Sequence, residues 1–382
     1  MILHKTYLLK NSIDVYITEL DDDEILMTFH KITTRDRIEI LTNSMVAKFI
    51  ALLNGKNTIG QIYSLLELSP DMDQLNDLIN FLFENKLITE NTVDDSSSRY
   101  NRQEAFFDDL YLSQSGNVSQ KILSNKSILF LGCGAYSGAV AEILVRMGIQ
   151  KVILVDYKKV TSASLSRHLY TRPSDINKYK VDVLELYLQR INSMVDVQKV
   201  ITLINYDTDL SKIIMNDVDL VVNGLDEPYI GHTSLKLGRY LAPLRIPMYV
   251  MGGFDAHLMS SGELIYPPQT PCIDCVQQYF QVALKDWKPF YNLSNSIDYS
   301  NDKKGDMSNV TYEDSYNYSH AGGLCSMSNF SAYLSAASII DFFLSQGNHL
   351  TESIMRYEYL LNKGEITKFK VGKRIACEVC NV

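Results

Sequence analysis

Four cysteines arranged as two Cys-x-x-Cys pairs offer the most specific chemistry in this sequence. The pairs are Cys272 with Cys275, and Cys377 with Cys380. Four thiolates at this spacing suit the tetrahedral shell of a structural zinc ion, because each pair can supply two neighbouring vertices. The alternatives are two disulfides or four inert thiols. The first residues, Met-Ile-Leu-His-Lys-Thr-Tyr, lack the apolar core of a signal peptide, so we expect a cytoplasmic protein with reduced cysteines.

A glycine-rich loop at Gly132, Gly134 and Gly138 is a second place for chemistry. It lies between a short apolar run and a helical pattern, where backbone N–H groups and the helix dipole favour a phosphate group. Asp156 ends the next apolar run, and a carboxylate at that point can bind both hydroxyls of a ribose. The combination predicts an adenine nucleotide without distinguishing a dinucleotide from ATP. A tight turn with no ligand is the other interpretation.

Charged residues before, between and after the apolar runs favour ATP over a dinucleotide. They are Arg102, Arg167, Lys180 and Asp226. A site that splits ATP needs cations for the triphosphate and a carboxylate for Mg²⁺, whereas a nicotinamide site needs neither. Each of these residues alone is typical of a solvated surface. Their order along the chain predicts ATP and Mg²⁺ as cofactors.

The elements that position these residues predict an α/β domain over residues 127–382. Short, continuous apolar runs of the kind buried in parallel sheets alternate with helical patterns. The runs lie at 127–131, 151–156, 197–203, 219–223 and 247–251. This alternation predicts a doubly wound, mostly parallel sheet of the Rossmann type. A polar segment at about 286–320 lacks periodicity and is predicted to be a flexible crossover loop, and residues 326–343 regain a helical pattern.

Residues 1–92 predict a small α+β domain that resembles a winged helix. Three runs with β character (15–17, 25–29 and 37–40) precede three helical patterns centred on 45–53, 59–66 and 75–82. Residues 93–126 are predicted to be a linker and entry helices, because the run at 91–98 is polar and lacks periodicity.

Composition excludes several classes of protein. The 382 residues are 46% hydrophobic and 21% charged, and no stretch approaches the ~20 apolar residues of a membrane span. A formal net charge of −9 argues against nucleic-acid binding, which draws its affinity from clustered Lys and Arg. We therefore expect neither a membrane nor a nucleic acid as a partner.

From Arg99 to the end, the chain resembles the E1-like adenylating family of ThiF and MoeB. The matching residues are the Arg99-Tyr-Asn-Arg-Gln103 entry, the glycine loop, Asp156, the Leu-x-Arg element at 165–167, Lys180, Asp226 and the two cysteine pairs. The resemblance implies an ATP-binding α/β domain, usually a homodimer, that transfers AMP to a carboxylate. It further implies that Arg102 reaches the triphosphate across a dimer interface. Arg167 and Lys180 would hold phosphates, and Asp226 would bind magnesium.

The chain departs from that family at several positions. Ala135, Tyr136 and Ser137 replace the family's usual loop residues, and Lys158 stands where a second acidic residue is common. The usual Asn and Gln around the Leu-x-Arg element are Ser164 and His168. These changes leave the nucleotide site plausible and leave the fate of an adenylate open. The cysteines outside the pairs, Cys133 and Cys325, are expected to be packing residues, with a nucleophilic role for Cys325 as the alternative.

The N-terminal domain resembles the PqqD-type element that binds leader peptides by adding them as a strand to a sheet edge. Together with an E1-like domain, it resembles the maturation enzymes of microcin C and pantocin A. We therefore expect an enzyme that binds a ribosomally made precursor peptide and adenylates a Glu or Asp side chain, leading to dehydration or cyclisation. The alternatives are adenylation of the peptide C-terminus to a nucleotidyl-peptide, a non-catalytic protein that delivers the peptide, and an activator of a ubiquitin-like sulfur carrier. A DNA-binding winged helix is disfavoured because no basic recognition helix is present.

Overall fold

The computed structural model describes residues 2–20, 23–68, 72–90, 98–111, 114–205, 207–215, 217–226, 229–253, 259–283, 323–345 and 353–380. The chain divides into two compact units, Met1–Ile122 and Leu123–Val382. The polar run of the predicted linker, up to residue 97, and the crossover loop predicted at about 286–320 lie outside the described residues. The predicted boundaries at residues 92 and 126 stay predictions.

The first unit is an α+β structure with two antiparallel sheets of three strands, in the orders β5-β1-β6 and β2-β3-β4. Its strands are β1 (Thr6–Leu9), β2 (Ile13–Glu19), β3 (Glu24–Lys31), β4 (Arg37–Asn43), β5 (Asn54–Thr58) and β6 (Ile88–Glu90). Its helices are α1 (Ser44–Ala51), α2 (Ile59–Leu65), α3 (Met72–Glu84), α4 (Asn101–Leu110) and α5 (Gly116–Ser124), which ends just past the unit boundary.

Side chains that are alternately buried and partly exposed along β3 explain why the sequence predicted the sheet β2-β3-β4. Met27 and Phe29 of β3 are fully buried in the core of this unit, while Leu26, Thr28 and His30 at the alternate positions are partly exposed. The three runs with β character lie within β2, β3 and β4, and the three helical patterns correspond to α1, α2 and α3. The sheet built on β1 was not predicted. Its strand β5 reads Asn-Gly-Lys-Asn-Thr, which has no apolar alternation to reveal it.

A buried ion pair explains why α4 belongs to the first unit. Lys10 is 9% exposed, and its ammonium pairs with Asp109 at 3.0 Å and also with Asp108, both on α4. Thr33 donates a hydrogen bond of 3.2 Å to the second carboxylate oxygen of Asp109. A shielded lysine with two carboxylate partners ties a helix down more firmly than a solvated pair would.

The second unit contains the α/β sheet. Its strands are β7 (Ser127–Leu131), β8 (Lys151–Val155), β9 (Asp196–Val200), β10 (Leu220–Asn223), β11 (Met248–Val250), β12 (Glu263–Ile265), β13 (Ser353–Leu360) and β14 (Glu365–Gly372). Its helices are α6 (Ala135–Arg146), α7 (Ser162–Leu165), α8 (Lys180–Ile191), α9 (Ile230–Leu244), α10 (Ile273–Ala283) and α11 (Cys325–Leu344). Within the described part of the chain, we find no helix with the length and apolar character needed to cross a bilayer.

The sheet has the order β12-β11-β10-β7-β8-β9, and only the β11–β12 pair is antiparallel. The chain runs outward from β7 to β8 and β9 on one side, and from β10 to β11 on the other. The topological switch point therefore lies between β7 and β10. In such sheets ligands bind in the crevice at the carboxyl ends of the strands at the switch point. The predicted α/β class is confirmed.

The hairpin formed by β13 and β14 was not predicted, and one of its buried residues is an arginine. Arg356 is 1% exposed, and its guanidinium donates to Glu263 at 2.9 Å and, through Nε, to Glu358 at 2.6 Å. The rings of Phe280 and Phe369 lie 5.2 and 5.5 Å from the guanidinium carbon. A core position occupied by a charged residue breaks the apolar pattern by which a strand is recognised.

Candidate nucleotide site and cysteine cluster

A cavity of about 200 Å³ opens at the carboxyl ends of the strands around the switch point. The structure brings six of the predicted site residues to its walls. They are Gly132, Gly134, Asp156, Arg167, Lys180 and Asp226. The crevice that the fold class predicts for a ligand is thus the place where the charged residues converge.

Two glycines allow the ends of β7 and β10 to approach each other. Gly132 has a φ of 86°, and a Cβ atom there would lie 3.0 Å from the carbonyl oxygen of Gly224. Gly134 is the N-cap residue of α6, and a Cβ atom there would meet nothing within 4 Å. The first glycine therefore serves the turn, and the second leaves open space at the N-terminus of a helix, where an anion is favoured.

The carboxylate of Asp156 is fixed by the backbone of the loops around it. It accepts hydrogen bonds from the N–H of Cys133 at 2.7 Å and from the N–H of Lys158 at 2.8 Å. The residue is 7% exposed and lies at the cavity wall. Backbone donors of this kind hold a carboxylate in one orientation, which suits an acceptor for ribose hydroxyls.

Two cations lie on the cavity wall, at the start of α8 and just after α7. Burial lowers the pKa of Lys180, and the nearby carboxylate of Asp156 opposes that shift. Arg167 follows α7, and its carbonyl oxygen accepts a hydrogen bond from the thiol of Cys325 at 3.5 Å. A partly buried lysine and an exposed arginine at the wall of one cavity are suited to bind phosphate groups.

Asp226 follows β10 and is exposed at the mouth of the cavity. The backbone before it is held by Asn223, whose side chain accepts from the N–H of Leu225 at 3.1 Å and donates to Ser234 at 2.9 Å. The carboxylate is thereby presented on a supported turn. An exposed carboxylate beside a cavity lined by cations has the oxygen chemistry that Mg²⁺ prefers.

Gly138 does not line the cavity. A Cβ atom at this position in α6 would lie 2.5 Å from Cε1 of Tyr170. The glycine therefore lets an aromatic ring pack directly against the helix, so we assign it a packing role, and its predicted contact with the cofactor stays a prediction.

The altered glycine loop is anchored on the side away from the cavity. The hydroxyl of Tyr136 lies 2.6 Å from the hydroxyl of Ser335 and 3.2 Å from the carbonyl oxygen of Ser331, both on α11. It also donates to the carbonyl oxygen of Ser260 at 3.3 Å. Burial raises the pKa of Tyr136, so the hydroxyl stays protonated. This departure from the family pattern strengthens the contact between α6 and α11 and leaves the cavity open.

Two of the other departures from the family pattern line the cavity, and the third does not. Lys158 and His168 line the cavity, whereas Ser164 belongs to the capping box of α7, in which its hydroxyl accepts from the N–H of Thr161 at 3.1 Å. Burial, followed by the charges of Lys180 and Arg167, lowers the pKa of His168 to about 3. The imidazole in this structure is therefore neutral at physiological pH.

Sequence reasoning missed several residues of the cavity wall. They are Ala135, Val155, Tyr157, Thr202, Leu203, Ile204, Gly224 and Leu225. Gly224 carried a usable signal, because a glycine at the end of a buried strand just before Asp226 indicates close approach of the backbone. Leu203 and Ile204 carried no such signal, because they continue the apolar pattern of the strand before them.

The remaining predicted residues lie elsewhere in the chain. Arg102 is an exposed residue of α4 in the first unit, so its predicted role at the triphosphate stays a prediction. Cys133 is fully buried, and burial raises the pKa of its thiol well above the usual range, which agrees with a packing role. Cys325 is the first residue of α11, and the side-chain amide of Asn329 donates to its sulfur at 3.2 Å.

The four paired cysteines form one buried cluster. Neighbouring sulfurs lie 3.8 Å apart between Cys272 and Cys275, 3.5 Å between Cys272 and Cys377, and 3.7 Å between Cys275 and Cys380. A tetrahedral zinc with Zn–S bonds of about 2.3 Å places its sulfurs about 3.8 Å apart. The four sulfurs thus fit a zinc ion, and none of the four is in a disulfide.

Backbone groups surround the cysteine cluster in the manner of a metal site. The N–H of Cys272 points to the sulfur of Cys380 at 3.1 Å, and the N–H of Arg374 points to the sulfur of Cys275 at 3.4 Å. Such N–H···S bonds favour thiolates and orient them toward a metal. The cluster joins α10 to the segment after β14, which is the connection predicted for a structural zinc.

Known structures share this architecture. A crystal structure of E. coli MccB with AMPCPP and MccA covers 98% of this chain and 99% of its own, with a TM-score of 0.68 and 20% sequence identity. A crystal structure of PaaA covers 78% of this chain and 92% of its own, with a TM-score of 0.55 and 18% identity. At these identities the likeness establishes a shared fold.

Sequence relatives identify the family. The sulfur carrier protein ThiS adenylyltransferase of Bacillus subtilis (strain 168) is 28% identical over 184 residues, which are 47% of this chain. The chain spans half or less of the length of the curated relatives that it matches. Residues 100–379 match the ThiF family, which is most of the chain. The chain therefore belongs to the ThiF family, as the arrangement of its nucleotide loop, charged residues and cysteine pairs indicated.

Proposed function

We propose that this protein is an ATP-dependent enzyme that matures a ribosomally made precursor peptide. It binds the leader of the peptide and adenylates a Glu or Asp side chain of the core, which leads to dehydration or cyclisation. The observation that carries the proposal is the cavity at the switch point, which gathers Asp156, Arg167, Lys180 and Asp226. Support also comes from the fold, which aligns with MccB over 98% of this chain.

The side chains divide the work of holding ATP. Asp156, held by two backbone donors, accepts hydrogen bonds from the ribose hydroxyls. Lys180 and Arg167 neutralise the phosphates, and the open N-terminus of α6 at Gly134 adds backbone donors. In a homodimer, Arg102 of one protomer would add a further cation to the triphosphate.

Two metals fit the residues present. Asp226 would hold a magnesium ion, which supplies neutralisation of the charge that develops on the leaving pyrophosphate. The four clustered cysteines would hold a structural zinc, whose sulfur spacing agrees with the distances described above. The zinc site would join α10 to the residues that follow β14.

Catalysis at this site is mainly positioning and charge neutralisation. The substrate carboxylate attacks the α-phosphate, pyrophosphate leaves, and the resulting acyl-adenylate has AMP as a good leaving group. The cations that hold the phosphates also stabilise the charge of the transition state. This chemistry requires no nucleophile from the protein, and none of the described residues that line the cavity is a cysteine.

One of the two sheets in the first unit, β2-β3-β4, offers two exposed edges for a leader peptide. β2 and β4 are the outer strands of their described sheet. Tyr16 and Ile17 on β2 are 58% and 53% exposed, and Leu41 on β4 is 60% exposed. An extended peptide can pair with the backbone of an edge strand while its apolar side chains pack on such residues.

The adenylation step is tested by exchange of labelled pyrophosphate into ATP in the presence of a short peptide encoded beside this gene, taken as the candidate precursor. We expect peptide-dependent exchange with the unaltered protein. Lys180→Met should lower the rate ~10²-fold or more, because one donor to the developing charge is removed. Lys363→Met is the matched control, since Lys363 is exposed in the turn between β13 and β14. Peptide-independent or absent exchange would contradict the proposal.

Leader capture is tested by fluorescence anisotropy with a labelled leader. If β2 is the docking edge, Tyr16→Ser weakens binding and Leu41→Ser does not; if β4 is the edge, the reverse holds. Leu361→Ser, which removes an exposed apolar side chain from the second unit, is the control. Unchanged binding in both edge variants would contradict docking on this sheet. Leader binding without exchange in any condition would favour the alternative role of peptide delivery.

A further inference from the structure

His168 is a cavity-lining residue to which the ATP-binding scheme gives no task. It stands where the family has a glutamine, lines the nucleotide cavity and is 6% exposed. Its Nδ1 atom lies 3.2 Å from the hydroxyl oxygen of Tyr170. That hydroxyl is in turn hydrogen-bonded to the carbonyl oxygen of Cys133. The three groups form a series of hydrogen bonds that runs from the glycine loop to the imidazole.

The direction of these two hydrogen bonds fixes the tautomer of the imidazole. The carbonyl oxygen of Cys133 has no hydrogen, so the Tyr170 hydroxyl must donate its only hydrogen there. The hydroxyl oxygen is left as an acceptor, and Nδ1 of His168 must therefore be the donor. In a neutral ring, Nε2 then carries a lone pair and no hydrogen. Among the described residues, no hydrogen bond to Nε2 is found.

We propose that His168 is the general base for the second half of the reaction, in which a nucleophile attacks the acyl-adenylate. This inference rests on the proposed function. The bond between the nucleophile and its hydrogen breaks, the electron pair forms a bond to the acyl carbon, and the proton moves to Nε2. The bond between the acyl carbon and the phosphate oxygen breaks, and AMP leaves with that electron pair. No electrons are gained or lost overall.

The other groups of the cavity are less suited to this task. Lys158, Arg167 and Lys180 are cations, and the carboxylate of Asp156 is already held by two backbone donors. Asp226 is the residue that fits magnesium. Of the cavity-lining side chains, the imidazole combines a neutral state with a free lone pair, which general-base catalysis requires.

Occupancy of the site would regulate the strength of this base. In the empty cavity, burial and the charges of Lys180 and Arg167 lower the pKa of His168 to about 3, which makes it a weak base. Phosphate groups bound to these two cations would offset their charge. An opposite charge within a few Å typically raises the pKa of a cationic acid by about 1–3 units. His168 would thus accept a proton more readily once the nucleotide is bound.

The surroundings of the imidazole come from several elements. Several titratable and charged groups interact with the imidazole directly or through Tyr170 or Arg167. They are Arg167, Lys180, Tyr170, Asp156, Cys133 and Cys325. Burial raises the pKa of both Tyr170 and Cys133, so both stay protonated near neutral pH. A pH-dependent step on the acid side of neutrality that disappears with His168 would therefore report His168.

The test separates the two half-reactions in the full-length protein. His168→Gln restores the family residue and keeps a side-chain amide that can reach Tyr170, but it removes the base. We expect pyrophosphate exchange within about threefold of the unaltered rate, while conversion of the precursor peptide falls ~10²–10⁴-fold, the usual contribution of a general base. His4→Gln, at an exposed histidine of the first unit, should change neither rate.

Other results would overturn either the role of His168 or the proposed function itself. Equal loss of exchange and conversion would assign His168 to nucleotide binding or folding and overturn the proposal, as would unchanged conversion. If the unaltered protein shows neither exchange nor product, the proposed function fails before this inference is reached.

The tautomer is tested separately. Long-range ¹H–¹⁵N NMR of histidine-labelled protein should show the Nδ1–H tautomer for the signal that His168→Gln removes. Tyr170→Phe keeps the ring against Gly138 but deletes the hydroxyl, and should release that tautomer and lower conversion ~10-fold. An Nε2–H signal in the unaltered protein would overturn the proposal.

Discussion

Replacing Arg356 by methionine should be among the most destabilising single changes in the second unit. The guanidinium is bonded to two carboxylates that are themselves buried, because Glu263 is 1% exposed and Glu358 is 5% exposed. Arg356→Met fills a similar volume but leaves both carboxylates without their cation. Breaking a buried ion pair by removing one partner costs about 3–5 kcal/mol.

An exposed arginine in the same unit provides the matched control. Arg239 donates through Nε to Asp274 at 3.1 Å, a geometry close to that of the buried pair, but its side chain is 61% exposed. An exposed ion pair contributes about 0–1 kcal/mol, because both charges are already well solvated when apart. The two methionine variants should therefore differ in free energy of unfolding by roughly 3 kcal/mol.

Urea unfolding followed by circular dichroism measures both variants. We expect Arg239→Met to keep the midpoint of the unaltered protein and Arg356→Met to lower it strongly. Replacing Glu263 and Glu358 by apolar residues as well should recover much of the loss, because no buried charge remains unpaired. Equal midpoints for the two single variants would refute the argument that burial decides the cost.

Three further predictions concern the sites. His168 has a pKa of about 3 in the folded protein against 6.5 for the free side chain, so the unfolded state binds the proton first and stability falls as the pH falls below 6.5. Between pH 7 and pH 5 the unaltered protein should lose about 2 kcal/mol relative to His168→Gln, measured by urea unfolding at each pH. The purified protein should contain bound zinc by elemental analysis, and Cys377→Ser should lower both the zinc content and the thermal midpoint. Gly138→Ala should cost about 1–3 kcal/mol because its Cβ would meet the ring of Tyr170 at 2.5 Å, whereas Gly134→Ala, with open space around the Cβ, should leave stability nearly unchanged.

Each of these predictions has a contrary result. An identical pH dependence in His168→Gln and the unaltered protein would show that His168 is not held neutral by its surroundings. Full stability after removal of zinc by a chelator would show that the cysteine cluster is not a structural metal site. Equal effects of alanine at Gly138 and Gly134 would contradict the packing role that we assign to Gly138.

The parts of the fold that the sequence predicted are those in which hydrophobicity alone decides structure. Strands β7, β8 and β10 are buried on both faces, so their continuous apolar runs were visible. The run at 197–203 was read as one strand, but β9 ends at Val200, and Leu203 beyond it lines the cavity. Periodicity does not distinguish an apolar residue of a strand from an apolar residue of a binding site.

The elements that the sequence missed are held by interactions that leave no apolar pattern. β5 is polar and pairs with β1 through its backbone, and β13 carries Arg356 and Glu358 at buried positions. In the candidate nucleotide site, the types and order of the charged residues predicted that Asp156, Arg167, Lys180 and Asp226 would converge on one cavity. The supporting role of Tyr170, which packs on Gly138 and fixes His168, depends on contacts between distant residues and had no signal in the sequence.

The central claim, activation of a peptide carboxylate, is tested most directly by intact mass measurement. The precursor peptide encoded beside this gene would be incubated with the protein, ATP and magnesium, with Lys180→Met as the inactive comparison. We predict an ATP-dependent loss of water from the peptide, while a nucleotidyl gain would indicate activation of the C-terminal carboxylate instead of a side chain. An unchanged mass despite tight leader binding would contradict the claim and favour a delivery role. ATP-dependent activation of a sulfur carrier protein in place of the peptide would contradict it as well.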